Sequence, residues 1–268
     1  MSISPENPGV WVEDFKLYSF QVDFRKLASL ETLCRIFQEA AWNHAEALGL
    51  GFEQLQQQHK IWVLSRLLIN VHRYPRWGET IRIHTWPRPV EGALAMRDFQ
   101  MLNHRDEVLV SGSSAWLILD ALSRKPQRPG KMLSSFSTDP NHRATERDPE
   151  KIAETETPEP GIELLVRYSD IDVNGHVNNA RYVGWLLDSY PLEFHCGHSV
   201  SQLEINYLGE TRAGDTLTSA QVEVAPGQYI HSIVKSGGPG QVCRARLTWV
   251  PGADSRFSDG ETTLALSP

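Results

Sequence analysis

The sequence predicts an α+β chain in two similar halves, each a long helix followed by about four consecutive strands that make an antiparallel sheet. Three observations predict it. A stretch of apolar residues at helical spacing comes ahead of a series of strand-like runs, and that succession returns after a proline-rich interval. The turn Gly78-Glu79-Thr80 also reappears as Gly214-Asp215-Thr216 at the start of the corresponding strand, which points to an internal duplication.

In the first half, Ser29 precedes Leu30, Leu33, Cys34, Phe37, Ala41 and Leu48, with Glu31 in the first turn and Gly49 at the end. A hydroxyl cap, an early carboxylate and a terminal glycine frame an amphipathic helix of roughly five turns. Runs rich in β-branched and aromatic residues at 61–74, 80–86, 93–103 and 107–120 then read as strands. The second half repeats the order, with a short strand at 162–168, a helix at 178–190 closed by Pro191, and strands at 200–207, 215–224, 229–235 and 242–250. A helix followed by several strands cannot alternate as a doubly wound parallel sheet requires, so each antiparallel sheet must curl around its helix. This is the hotdog arrangement, present twice and joined edge to edge into one sheet. Residues 1–125 form the first hotdog, 126–160 a connecting segment containing six prolines and no hydrophobic periodicity, and 161–268 the second hotdog.

Bulk properties narrow the class. With 268 residues and 40% apolar content the chain can bury a sizeable core, and no uninterrupted apolar run reaches membrane-spanning length. The opening residues carry no basic, apolar leader, and Cys34, Cys196 and Cys243 are odd in number with no CxxC pair, so a cytoplasmic protein off the membrane is expected. A net charge of −7 disfavours nucleic acid as a partner. Against that background Arg124, Lys125, Arg128 and Lys131, with Arg73, Arg76 and Arg97 as neighbours in space, read either as a basic patch for an acidic partner or as scattered charge on a solvated linker.

The densest polar constellation is DIDVNGHVNNARYVGW at 170–185, just ahead of the second helix. Asn178 or Asn179 suits the helix cap. Capping does not account for a carboxylate, an amide and an imidazole at alternate positions, and in extended chain Asp172, Asn174 and His176 project on one side, beside the positive end of the helix. Hydrolysis of a thioester needs a base for water, donors for an oxyanion and help for the leaving thiolate, and these residue types supply each part. Spacing alone leaves open a catalytic loop or a capped structural turn. The first half, reading FRKLASL before its helix, shows no such alternation.

The run DIDVNGHVNNARYVGW resembles the signature of plant and bacterial acyl-carrier-protein thioesterases. The similarity extends through VHRYPRWGETIRIHTW at 71–86, SSAWLILDALSRKPQRP at 113–129 and LEINYLGETRAGD at 203–215. It implies an active site at Asp172, Asn174 and His176, joined by the acidic Glu210, and an acyl pocket in the first half, for which Leu33, Phe37, Ala41 and Trp42 are candidate lining residues. Plant members carry a cysteine after that acid where this chain has Thr211, so general-base hydrolysis is expected rather than a thiol nucleophile. Asp172 or Glu210 then activates the water, Asn174 and a backbone N–H near the helix start hold the carbonyl oxygen, and His176 orients or donates to the leaving thiolate; if the carboxylates are close, one pKa is raised. Acyl carrier protein is the implied partner, a second copy of the chain a further candidate, and no cofactor or metal is implied.

Rival readings are an acyl-coenzyme-A thioesterase, a hotdog dehydratase and a non-catalytic acyl binder. A dehydratase draws its acid and base from opposite protomers, whereas the polar set here gathers in one half. His195-Cys196-Gly197-His198 has the letters of a metal cluster but lacks further convergent ligands, and Gly237-Gly238-Pro239-Gly240 lies between strands and reads as a hairpin turn.

Overall fold

The computed structural model describes residues 2–3, 9–129, 133, 139, 141–155, 161–238 and 240–252. Among the described residues the strands are β1 (Ser2–Ile3), β2 (Trp11–Lys16), β3 (Lys60–Val71), β4 (Thr80–Pro87), β5 (Ala95–Leu102), β6 (Val108–Asp120) and β7 (Pro126–Gln127), then β8 (Ile162–Leu165), β9 (His198–Tyr207), β10 (Thr216–Ala225), β11 (Gln228–Lys235) and β12 (Gln241–Pro251). They form one 12-stranded sheet in the order β1-β2-β4-β5-β6-β3-β9-β12-β11-β10-β8, with β7 on β6. The halves meet where β3 pairs antiparallel with β9, Leu67 opposite Ile205. This is the tandem hotdog read from the sequence, its two inner edges closed on each other.

Helix α1 (Leu30–Ala47) starts as expected, with the Ser29 side chain accepting from the Thr32 N–H. Its apolar face and that of α3 (Asn179–Leu187) enter a single core with residues of both curved sheets. Gly184 leaves room for the Glu31 carboxylate of α1, which would lie 2.7 Å from a Cβ there and which pairs with Arg181. The second helix is shorter than read: it stops at Leu187, and Pro191 opens a separate short helix, α4 (Leu192–Gly197), instead of closing the first. A matching short helix, α2 (Phe52–Gln57), follows α1. Strand β2 escaped the sequence reading because its alternate inward positions are not all apolar, Glu13 being buried beside Trp11 and receiving a hydrogen bond from Asn43.

Within the connecting segment, residues 141–155 form no helix or strand and are fastened across the convex face of the sheet. Asp98 accepts from the Ala144 N–H at 2.8 Å, Glu204 accepts a fork from Arg147 at 2.6 and 2.9 Å, and Asn206 accepts from the Ile152 N–H at 2.8 Å. Asp98, Glu204 and Asn206 sit on the outward face of their strands and are buried because this strap covers them.

Candidate active site

The loop before α3 is closed on itself, not extended. Ile171 bridges Val177, the Asp172 N–H donates to the His176 carbonyl at 2.8 Å, and Gly175 turns the chain at φ +76°. Asp172 makes the turn: its Oδ1 accepts the N–H of Asn174 at 2.8 Å and of His176 at 3.4 Å. This corrects the picture of three side chains alternating along a strand. A carboxylate folded back onto its own loop brings Asp172 and Asn174 to one wall by curvature instead. Asn178 is the cap, accepting from the Ala180 N–H at 2.9 Å.

The first half contains the same loop, against the expectation that it has no counterpart. Val22 bridges Ala28, Asp23 Oδ1 accepts the N–H groups of Arg25 and Leu27 at 2.8 and 3.2 Å, and Lys26 takes the left-handed position at φ +63°. The sequence hides it because Arg25 and Leu27 stand where the second half has Asn174 and His176. Arg25 pairs with Asp23 at 2.8 Å and donates across the junction to the carbonyls of His195 and His198, filling its own loop. An aspartate is therefore what the loop architecture requires in both halves; the amide and imidazole belong to one.

Glu210 comes from the segment after β9, held by a Thr211 carbonyl that accepts the Val177 N–H at 3.0 Å and a Thr211 hydroxyl 2.6 Å from Tyr182 Oη. Its Oε2 lies 3.2 Å from His176 Nε2, and Arg124 also contacts its carboxylate. Burial holds the His176 imidazole below the usual histidine range; Arg212 and Arg124 push further down while Asp172 opposes them. Thr211 is buried and engaged in this clamp, so its hydroxyl is held for structure.

Asp172 and Asn174 border a cavity of about 150 Å³ that runs along the second half of α1. Ala41 and Trp42 line it, with Phe52 and Leu55 of α2 and Ile61 and Trp62 of β3. Phe37 instead stacks on Phe99 with centroids 4.4 Å apart and borders a smaller void of about 20 Å³, while Leu33 is closed within the core; both lie on turns of α1 nearer its start than Ala41, and the cavity follows the later turns. In the second half the corresponding space is packed with aromatics. Tyr190, as far beyond its cap as Ala41 is beyond Ser29, contacts Phe194 and Trp249, and its hydroxyl meets His231 at 2.8 Å.

The basic residues do not form one patch. Arg124 sits at Glu210, whereas Lys125 and Arg128 are exposed and Lys131 lies outside the described residues. Arg73 pairs with Glu79 at 2.6 Å, and Arg97, on the concave face of β5, lines the cavity. His195 and His198 meet the carbonyls of Leu187 and Phe194 at 3.1 and 3.0 Å and belong to the aromatic packing. The glycines 237, 238 and 240 lie between β11 and β12, with Pro239 outside the described residues.

Residues 8–132 match the acyl-ACP thioesterase N-terminal domain and residues 154–251 the acyl-ACP thioesterase C-terminal domain. The chain is 29% identical over 265 residues to the chloroplastic palmitoyl-acyl carrier protein thioesterase of Gossypium hirsutum, covering 90% of this chain and 64% of that relative. Its structure superposes on an acyl-ACP thioesterase from Bacteroides thetaiotaomicron with a TM-score of 0.84 at 28% identity, covering 90% of this chain and 98% of that one. The fold is shared with the 12:0-ACP thioesterase from Umbellularia californica at a TM-score of 0.79 and 24% identity, over 91% and 98% of the two chains. One half with an open cavity and one with that space filled, under a common sheet, define a double-hotdog protein. The chain belongs to the acyl-ACP thioesterase family.

Proposed function

We propose that this protein hydrolyses the thioester of an acyl chain carried on acyl carrier protein, releasing the fatty acid and the carrier thiol. The observation that carries the reading is the 3.2 Å contact of His176 Nε2 with Glu210, in the loop whose Asp172 and Asn174 border the apolar cavity. With the acyl chain along α1, the thioester comes to lie at that loop. Glu210 accepts a hydrogen bond from Nε2–H, which leaves the Nδ1 lone pair to take a proton from water and form the imidazolium. The water oxygen attacks the carbonyl carbon, and the Asn174 amide and the positive end of α3 stabilise the oxyanion. Collapse breaks the C–S bond, and the imidazolium returns its proton to the thiolate. Asp172 holds the loop and turns the Asn174 amide, 3.5 Å from its Oδ2, toward the cavity.

Two features support an anionic carrier. Arg124 and Arg212 flank His176, with Lys125 and Arg128 exposed close by in the chain, and the matched relatives are themselves named for acyl carrier protein. A second copy is not needed to complete this site, because both halves come from one chain. Cytoplasmic residence is part of the same proposal and is supported by three free cysteines, two of them buried; among the described residues no helix is long and apolar enough to cross a membrane. The test is a ladder of acyl-carrier and acyl-coenzyme-A esters, followed by thiol release and free fatty acid. Faster turnover of the protein-bound esters is expected. Preference for coenzyme A overturns the carrier, and release from neither overturns the hydrolase reading.

A further inference from the structure

Arg97 lies in the wall of a mostly apolar pocket, whose other polar lining residues are Gln38 and Lys60 along it and Asp172, Asn174 and Asn179 at its loop end. Its Nη1 donates to His44 Nδ1 at 3.0 Å and to Thr85 Oγ1 at 3.1 Å, both neutral acceptors inside the fold. Among the described residues it makes no salt bridge. Asp98, next in the chain, faces the opposite side of β5, where the strap and Arg88 engage it. His44 cannot balance the charge: burial, and then Arg97 itself, drives its pKa down to about 3, and Trp11 stacks over its ring. A guanidinium in no ion pair with a carboxylate is costly to keep beside a mostly apolar cavity, and among the described residues its other nitrogens make no hydrogen bond.

We infer that Arg97 selects acyl chains bearing an oxygen substituent along their length, its free N–H groups donating to that oxygen inside the cavity. The inference rests on the acyl-thioester reading above and names a substrate class within it. At about 1.5 Å of rise per residue, His44 stands roughly 9 Å along α1 from Gln38, which borders the cavity together with Asn179 at the loop end. The favoured oxygen therefore lies several carbons from the thioester. An all-apolar pocket would penalise such a hydroxyl for losing water, whereas a charged donor reverses that sign.

Two measurements on the full chain test this. Carrier esters of one chain length, unsubstituted or hydroxylated near the thioester, mid-chain or at the end, are compared for kcat/KM, and the matching free acids are compared for displacement of a fluorescent fatty acid. The wild type is expected to favour the mid-chain hydroxylated ligand about tenfold in both. Arg97→Met is expected to reduce that ratio to one or below, and Arg97→Lys to retain part of it, which guards against a methionine variant that folds poorly. A wild type that favours the unsubstituted chain over every hydroxylated isomer overturns the inference, as does a ratio unmoved by Arg97→Met. If no ester is cut, the hydrolase reading fails, and the displacement ratios still decide the role of Arg97.

Discussion

Asp172 and Asp23 separate what a carboxylate does for a loop from what it does for chemistry. Both accept two backbone N–H groups, yet only Asp172 has an imidazole and a second carboxylate nearby. Asp23→Ala should cost about 2 kcal/mol, read as a fall in Tm, because it frees the N–H groups and leaves Arg25 without its charge partner, while kcat stays within twofold. Asp172→Asn keeps an acceptor for the turn, so Tm should hold while kcat falls at least about tenfold. Glu210→Gln should lose about a hundredfold in kcat, the scale of disabling a general base. His176 must be neutral to accept a proton, and its pKa lies below 6.5, so kcat/KM should fall only at more acidic pH. Arg212→Gln removes a cation that pushes this pKa down, and the acidic limb should move upward.

Helix α1 carries the pocket wall on one face and the core on another, and that division sets what substitutions do. Ala41 faces the cavity from the middle of the helix, so Ala41→Phe should shorten the preferred acyl chain, measured as the released fatty-acid profile; an unchanged profile removes Ala41 from the wall. The strap shows a different kind of dependence. Arg147 covers a fully buried Glu204 that also receives Arg246 at 3.0 Å. Arg147→Ala should lower stability by about 2 kcal/mol, less than the full cost of orphaning a buried charge because Arg246 remains and Arg147 is itself partly exposed. The helices and central strands were legible because their apolar periods are strong. Strand β2, α2, α4 and the strap were not, since each is held by partners distant in the chain.

Across the entire chain, one sheet serves two halves that share a core, and the duplication has been spent asymmetrically: one half keeps a cavity, the other closes it with Tyr190, Phe194 and Trp249. The buried histidines of the two halves, His44 and His231, both have pKa values lowered by burial to about 3 from 6.5. The fold thus favours their neutral forms. The stability they lend is complete above pH 6.5 and is lost as pH falls from there toward 3, at up to about 1.4 kcal/mol per pH unit for each. Thermal melts between pH 7 and 4.5 should show this slope, and His231→Gln should flatten it.

The residue order alone laid down the duplicated helix-and-strand pattern and the loop that carries Asp172, Asn174 and His176, because periodicity, caps and a dense polar run are local properties; the acid at 210 was legible only through the resemblance to acyl-carrier-protein thioesterases. It could not show that Glu210 meets His176 instead of pairing with Asp172, that Arg124 enters the site, or that Arg97 turns inward to the pocket. Nor could it reveal that Asp23 repeats the loop with other side chains around it. Those facts depend on which strand faces and loops meet across long separations, and contacts of that kind leave no period in the chain.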